Sequence, residues 1–386
     1  MNNPGSAMKA ERTYRILRVI TWLPPGGIEQ KLVASLPLLN RPPFEVQVVC
    51  IRERGVLAGE LEKAGIPVHL VPFRSRLDLR GLRGLRDLIV REKIDLVHSH
   101  MYRANTPATL AARWAGVRAV VGQLHNVSTW ETARQLWMDR ILSRCRAATI
   151  CVSKMVQREA QRRLYLPPAR LPVIYNGVDV ERFRRREAGA QLRRSLGLDP
   201  LHVVIGMFAR LVPQKNPVGF IEAAQSLLPD FPDARFVLVG DGSLRPQLER
   251  KIQDSGLVGK VILTGHRQDV PELLSACDIF CLPSLREGFS NAVLEALAAG
   301  LPLVVTHVGG NSEAVEEGRS GLIIPPGRPD ALVGALGWLI GHPDERAKMG
   351  REAARRAELF SLDKMIGDLQ RLYLQLLESG PASFSD

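Results

Sequence analysis

Aromatic side chains are scarce in this chain: Phe, Trp and Tyr together make up 5% of its 386 residues. Proteins that hold single-stranded nucleic acid stack bases on aromatic platforms, and no such motif accompanies the basic residues here. Charge alone would permit a nucleic-acid partner; the missing platforms argue against it. Cysteine is equally sparse. Cys50, Cys145, Cys151, Cys277 and Cys281 include no Cys-x-x-Cys pair, which excludes a disulfide framework and predicts reduced, buried, small apolar residues. There is no Asp-x-Asp pair and no His/Cys spacing suited to zinc, so no metal site is expected. No uninterrupted apolar run reaches the ~18 residues that a membrane span needs. Residues 1–12 lack an apolar signal-peptide core. The expected place is the cytoplasm, free or at the inner face of the cell membrane.

What the chain does contain is an ordinary globular composition, 45% apolar and 24% charged, in a length sufficient for two domains with separate cores. The formal charge of +12 is uneven: residues 1–180 hold 28 Lys and Arg against 14 Asp and Glu, so the whole excess lies in that half. Such asymmetry predicts an anionic contact there, whether a membrane surface, a phosphorylated or lipid-diphosphate acceptor, or nucleic acid. The stretch 74–93 is the most basic. As a helix over Arg76–Arg91, it would place Leu77, Leu82, Leu85, Leu88 and Ile89 on one arc and five arginines on the other. A surface helix burying its leucines explains this pattern as well as a membrane-facing patch does.

Strand-like runs at Tyr14–Ile20, Phe44–Ile51, Pro67–Pro72, Ile94–Ser99, Ala119–Leu124 and Ala147–Val152 alternate with helical patterns. That alternation predicts a parallel, doubly wound sheet. Gly26 and Gly27 follow the first run. His100 and His125 stand at the carboxyl ends of two others, where ligands of open α/β sheets bind. A second series begins at His202–Phe208 and continues through Phe236–Gly242 and Val261–Asp269, each a strand ending in a glycine turn, then Asp278–Leu282, Pro302–Thr306 and Gly321–Pro325. The C-terminal pattern from Asp344 to Glu378 is helical, with Leu362, Met365, Ile366, Leu369, Leu372 and Leu376 as an apolar stripe.

One stretch organises the rest. Pro283-Ser284-Leu285-Arg286-Glu287-Gly288-Phe289-Ser290-Asn291 leads from a strand into a helix that carries Leu294-Glu295-Ala296 and ends at Ala299-Gly300. A helix N-terminus at the carboxyl end of a parallel strand offers N–H groups and a positive dipole to an anion. Gly288 would let the backbone come close, and Ser290 or Asn291 would cap the helix.

The string closely resembles the signature of the retaining glycosyltransferases of family 4 (glycosyl transferases group 1): Pro-Ser, Glu-Gly-Phe/Tyr, Leu-Glu-Ala, Ala-Gly. The resemblance implies an α/β GT-B fold, two Rossmann-like doubly wound parallel-sheet domains facing across a cleft. It implies an acceptor-binding domain over 1–180, a donor-binding domain over 181–360, and a last helix, 361–386, crossing back to the first domain. The reaction implied is transfer of a sugar from a nucleoside-diphosphate-sugar, a UDP-sugar foremost, to an acceptor hydroxyl in cell-envelope glycan or glycolipid synthesis. No cofactor or metal is implied. A GT-B nucleotide-sugar epimerase is the main alternative; it would act on the donor with no acceptor present.

The family's roles fall on this chain as follows. The main chain of Gly26 and Gly27 approaches the substrates. His125 bonds the transferred sugar near its reacting centre, while His100 and Asn126 lie toward the acceptor. Arg210 and Lys215 hold the two phosphates; fixed cations stabilise a departing diphosphate as its charge grows. Gly265 and His266 form the turn that holds the base. Glu287, with the main chain of Gly288, Phe289 and Ser290, lies near the sugar and phosphates, and Glu295 accepts from the ribose hydroxyls, as an ionised carboxylate can. His125, Glu287, Arg210 and Lys215 form the expected catalytic set. The donor phosphate itself would take the acceptor's proton.

Overall fold

The computed structural model describes residues 12–378 apart from 25, 76, 127–131 and 185–188. In chain order the elements are β1 (Tyr14–Ile20), α1 (Gly27–Leu39), β2 (Phe44–Cys50), α2 (Ala58–Lys63), β3 (Val68–Leu70), α3 (Leu79–Arg91), β4 (Leu96–His100), α4 (Met101–Trp114), β5 (Ala119–Leu124), α5 (Ala133–Arg144), β6 (Ala148–Cys151) and α6 (Lys154–Leu164). Then follow α7 (Val180–Arg184), α8 (Gly189–Ser195), β7 (Val203–Phe208), α9 (Pro217–Leu227), β8 (Ala234–Val239), α10 (Arg245–Asp254), β9 (Val261–Gly265), α11 (Val270–Ser275), β10 (Ile279–Leu282) and α12 (Asn291–Ala298). The chain closes with β11 (Leu303–Thr306), α13 (Asn311–Ala314), β12 (Gly321–Ile324), α14 (Pro329–Gly341), α15 (Pro343–Ala357) and α16 (Leu362–Glu378).

Contacts divide the chain into two compact units. Unit 1 comprises Met1–Cys151, Ala160–Pro172 and Ile366–Asp386; unit 2 comprises Val152–Glu159 and Val173–Met365. Each holds one six-stranded sheet, in the order β3-β2-β1-β4-β5-β6 in the first and β12-β11-β10-β7-β8-β9 in the second. All paired strands run parallel, in registers such as Tyr14↔Phe44 and Val203↔Ala234. Their sequences are near-continuous apolar runs because helices cover both faces; β4, β5 and β10 are buried throughout. Strand order reverses between β1 and β4 and again between β7 and β10. The carboxyl ends of those four strands are therefore the positions this topology reserves for ligands.

The basic helix forms, but it starts later than its arginines suggest. Asp78 caps α3, accepting from Arg80 N at 3.0 Å and Gly81 N at 3.4 Å. Leu82, Leu85, Leu88 and Ile89 enter the core with Leu17, Val97 and Val120. Leu77 precedes the helix and is 47% exposed, so it does not join the stripe; Arg76 lies outside the described residues. Gly81 stands inside this helix, where propensity disfavours glycine, for a packing reason: a Cβ there would fall 2.8 Å from the Phe73 ring. Cys145 departs from the expected burial of every cysteine, lying exposed at the end of α5. The helical C-terminal pattern is two helices parted by a 3-10 turn, Glu358–Phe360.

Unit 1 also encloses an ion pair that sequence did not suggest. Arg146 Nη2 donates to Asp139 Oδ1 at 2.6 Å, with both side chains wholly buried, and Arg146 Nε donates to Thr109 Oγ1 at 3.0 Å. Gly122 makes room for it, since a Cβ there would lie 3.0 Å from Arg146 Cδ.

Candidate active site

In unit 2 the loop after β7 and the loop after β10 are tied together by main chain. Leu285 N donates to Gln214 O at 2.8 Å, and Gln214 Nε2 donates to Arg286 O at 2.8 Å. Neighbouring loops brace the first: Ala209 N donates to Val239 O at 3.0 Å and Leu211 N to Asp241 O at 2.9 Å. Arg210 stands exposed on this framework, with no ion-pair partner among the described residues. Lys215 closes a single 3-10 turn, and Asn216, in a left-handed conformation, caps α9 by accepting from Gly219 N at 3.2 Å.

Lys215 and Glu287, assigned separately from sequence, form one ion pair. Nζ lies 2.5 Å from Oε1, the same oxygen accepts from Ser284 Oγ at 2.7 Å, and the glutamate is only 5% exposed. The carboxylate thus fixes the ammonium at the carboxyl edge of the sheet. Close approach here depends on Gly309. Gly309 has φ +53°, and a Cβ on it would fall 2.2 Å from the Glu287 carbonyl oxygen. The Gly288 carbonyl accepts from Gly310 N at 2.7 Å and from Ser153 Oγ at 3.1 Å. Gly309→Ala should therefore displace the Glu287 loop and cost about 1–3 kcal/mol, read as a lower urea midpoint with an unchanged slope; an unaltered midpoint would show that the loop yields freely.

The expected capping of α12 is not what the structure shows. Ser290 occupies the N-cap position without a side-chain hydrogen bond to the helix. Asn291 Oδ1 accepts from Asn176 Nδ2 at 2.9 Å, and that amide also donates to Phe289 O at 3.0 Å. The first N–H groups of α12 are therefore not closed off by their own cap. The Phe289 ring is buried against Tyr175 and Phe360, at centroid distances of 5.0 and 5.4 Å, so only its main chain can serve a ligand. Glu295 is half-buried on α12. Gly265 ends β9 at φ +74° and His266 beside it is exposed. Sequence reading missed the braces: Glu313 accepts from Lys154 N, Met155 N and Tyr175 Oη, each at 2.9 Å.

In unit 1, Gly26 is the N-cap of α1, where any side chain would meet the Glu29 carboxylate, Oε2 lying 2.4 Å from a built Cβ. At the carboxyl ends of β4 and β5, His100 Nδ1 lies 3.1 Å from His125 Nε2. Behind them Arg18 of β1 is buried. It donates through Nε to His100 Nε2 at 3.1 Å and through Nη1 to Tyr373 Oη at 2.9 Å, with Nη2 2.6 Å from His100 Nε2. Tyr373, on α16, also lies 2.5 Å from His98 Nδ1. His100 is 3% exposed, with one ring nitrogen engaged by Arg18 and the other by His125. Burial, with the Arg18 charge next, pushes His98 and His100 well below the usual histidine range. Burial, then Lys31 and Arg18, pulls His125 down to about 3. Asn126 follows His125 and is half-buried; residues 127–131 beyond it are outside the described set.

Two doubly wound parallel sheets, each with its reversal point lined by polar loops, are the architecture of the GT-B glycosyltransferases. The profile described as "Glycosyl transferases group 1" matches residues 190–356 and that of "Glycosyltransferase Family 4" matches residues 25–182. The UDP-Gal:alpha-D-GlcNAc-diphosphoundecaprenol alpha-1,3-galactosyltransferase of Escherichia coli is 34% identical over 326 residues, covering 81% of this chain and 84% of that one. The D-inositol 3-phosphate glycosyltransferase of Corynebacterium urealyticum is 34% identical over 387 residues, covering 91% and 89%. Among solved structures, HepE of Anabaena in complex with UDP and glucose superposes with a TM-score of 0.84 at 25% identity, over 94% of this chain and all of that one. The chain belongs to the family 4, group 1 glycosyltransferases and acts in glycan synthesis on a nucleotide sugar.

Proposed function

We propose that this protein moves a sugar from a UDP-sugar, with retention of configuration and without a metal, to a hydroxyl of a lipid-linked diphosphate acceptor at an anionic membrane surface. The observation that carries the donor half is the Arg210 and Lys215–Glu287 constellation at the carboxyl ends of β7 and β10. Its likeness to HepE, crystallised with UDP and glucose, supports uridine as the base. Arg210 and Lys215 neutralise the diphosphate as the bond to the sugar breaks. Glu287 holds Lys215 in position, Glu295 receives the ribose hydroxyls, and the turn at Gly265 and His266 receives the base. The N-terminus of α12, with its positive dipole end, and the main chain at Gly288, Phe289 and Ser290 meet the phosphates and the sugar.

His125, with the main chain of Gly26 and Gly27, serves the sugar being transferred. As the anomeric carbon leaves the phosphate oxygen, the acceptor oxygen bonds to it on the same face and a donor phosphate oxygen takes the acceptor proton. The E. coli relative is named for a diphosphoundecaprenol acceptor, and the exposed Arg80, Arg83 and Arg91 of α3 give unit 1 a surface for such anions. Among the described residues no helix is long and apolar enough to cross a membrane; contact would be peripheral.

The test is incubation with UDP-sugars in EDTA, with and without vesicles carrying a polyprenyl-diphosphate sugar. Acceptor-dependent release of UDP and an NMR coupling constant showing the donor's anomeric configuration in the product are expected. A requirement for added divalent metal, inversion, or donor epimerisation without acceptor would each overturn the corresponding part.

A further inference from the structure

We propose that Arg18 is a positioning residue that fixes, through His100, which ring nitrogen of His125 carries its proton. The argument starts from a guanidinium, which can only donate. Two of its N–H groups converge on His100 Nε2, at 3.1 and 2.6 Å. That nitrogen must therefore accept and be unprotonated, which places the single proton of a neutral His100 on Nδ1. Nδ1–H faces His125 Nε2 at 3.1 Å, so His125 Nε2 accepts in turn. The remaining proton of His125 then stands on Nδ1. A sugar oxygen meeting that nitrogen finds a neutral N–H donor and not a base.

The far end of the chain is anchored by the same logic. Arg18 Nη1 donates to Tyr373 Oη at 2.9 Å, so the phenol turns its own proton to His98 Nδ1 at 2.5 Å. Among the described residues no carboxylate accepts from Arg18; one at its place would reverse the direction of every bond down to His125. An imidazolium at either His100 or His125 would set two N–H groups against each other. The groups facing the chain add to this: Arg18 from β1, Lys31 from α1 and His98 from β4 are all positive or neutral, and each disfavours a further proton.

The inference rests on the reading that His125 serves the transferred sugar, yet its main test needs no substrate. In the full chain labelled with 15N-histidine at neutral pH, two-bond 15N–1H correlations should show His125 as the neutral Nδ1–H tautomer, its signals assigned by their loss in His125→Phe. An Nε2–H tautomer or an imidazolium would overturn the proposal. Arg18→Met should release His125 toward Nε2–H and lower kcat about a hundredfold, with the UDP-induced thermal shift kept, while Arg18→Lys, another donor-only side chain, should restore the tautomer. The same tautomer in all three proteins would overturn it; if neither variant folds, the spectrum of the unaltered chain decides. Nδ1–H on His125 together with no transfer from any UDP-sugar would support the relay and sink the functional reading alone.

Discussion

Lys215→Ala should abolish thermal stabilisation by UDP in the presence of EDTA and, independently, destabilise unit 2 by about 3 kcal/mol or more. The two effects have different origins. Removing the ammonium deprives the diphosphate of a cation that its fixed partner holds in place. It also leaves Glu287, 5% exposed, as a buried carboxylate whose remaining contact is the Ser284 hydroxyl at 2.7 Å, and uncompensated buried charges of this kind cost about 3–5 kcal/mol. The double variant Lys215→Met with Glu287→Gln removes both charges at similar volume. It should recover most of the lost fold stability while remaining blind to UDP. The native chain at a hundredfold excess of UDP over its dissociation constant should gain about 2.7 kcal/mol, an amount that calorimetry resolves. A Lys215→Ala protein that kept the full UDP shift would remove this lysine from the donor site; a double variant as unstable as the single one would show that the pair is not what holds the loop.

Much of unit 2 was legible because its signals are local. β7, β10, β11 and β12 were each bounded within one residue at either end, since parallel strands buried on both faces read as short apolar runs ended by glycine or proline. The stretch from Asp278 to Gly300 likewise announced strand, loop and helix in one unbroken string. What did not show was pairing. Lys215 and Glu287 stand 72 positions apart, and nothing in either neighbourhood says that one neutralises the other. Capping was misread for the same reason: Asn291 looks like a cap, but Asn176, 115 positions away, engages its side-chain oxygen.

Unit 1 shows the limit more sharply. His100 and His125 were placed at strand ends from sequence, yet their ranking depended on what lay behind them. Arg18 sits inside the first strand, where an arginine reads as a break in the apolar pattern, and Tyr373 lies 355 positions later in the final helix. The apolar stripe of that helix was visible, and Leu362, Met365, Ile366, Leu369, Leu372 and Leu376 are all buried. Its one buried phenol was not, because a tyrosine in a leucine stripe gives no sign of carrying a hydrogen bond. Gly81 is hidden in the opposite direction: propensity penalises glycine in a helix, and the Phe73 ring, 2.8 Å from where a Cβ would stand, explains it.

The same buried network makes unit 1 sensitive to acid. His98 and His100 are held well below their ordinary 6.5, and His125 is pulled to about 3, burial being the largest cause for all three. In the unfolded chain each takes up a proton near pH 6.5; in the folded chain none does until far lower pH. Below 6.5 the unfolded state therefore binds more protons, and stability must fall as the pH falls. At pH 5.5 the three together should withdraw stability on the order of a few kcal/mol relative to neutral pH. The loss should continue toward the folded-state value of His125, about 3. Carboxylates held low by hydrogen bonds, such as Glu92 and Asp269, act in the same direction but only nearer pH 4. Urea unfolding at pH 7.5 and 5.5 should show the drop, and His100→Gln, which cannot titrate, should shrink it. Equal stability at the two pH values would mean that the three rings ionise freely in the folded protein. Because they stay neutral until the fold gives way, the acid limb of the transfer rate should coincide with unfolding of unit 1 and show the steep slope of several protons, not the single-proton slope of one titrating base.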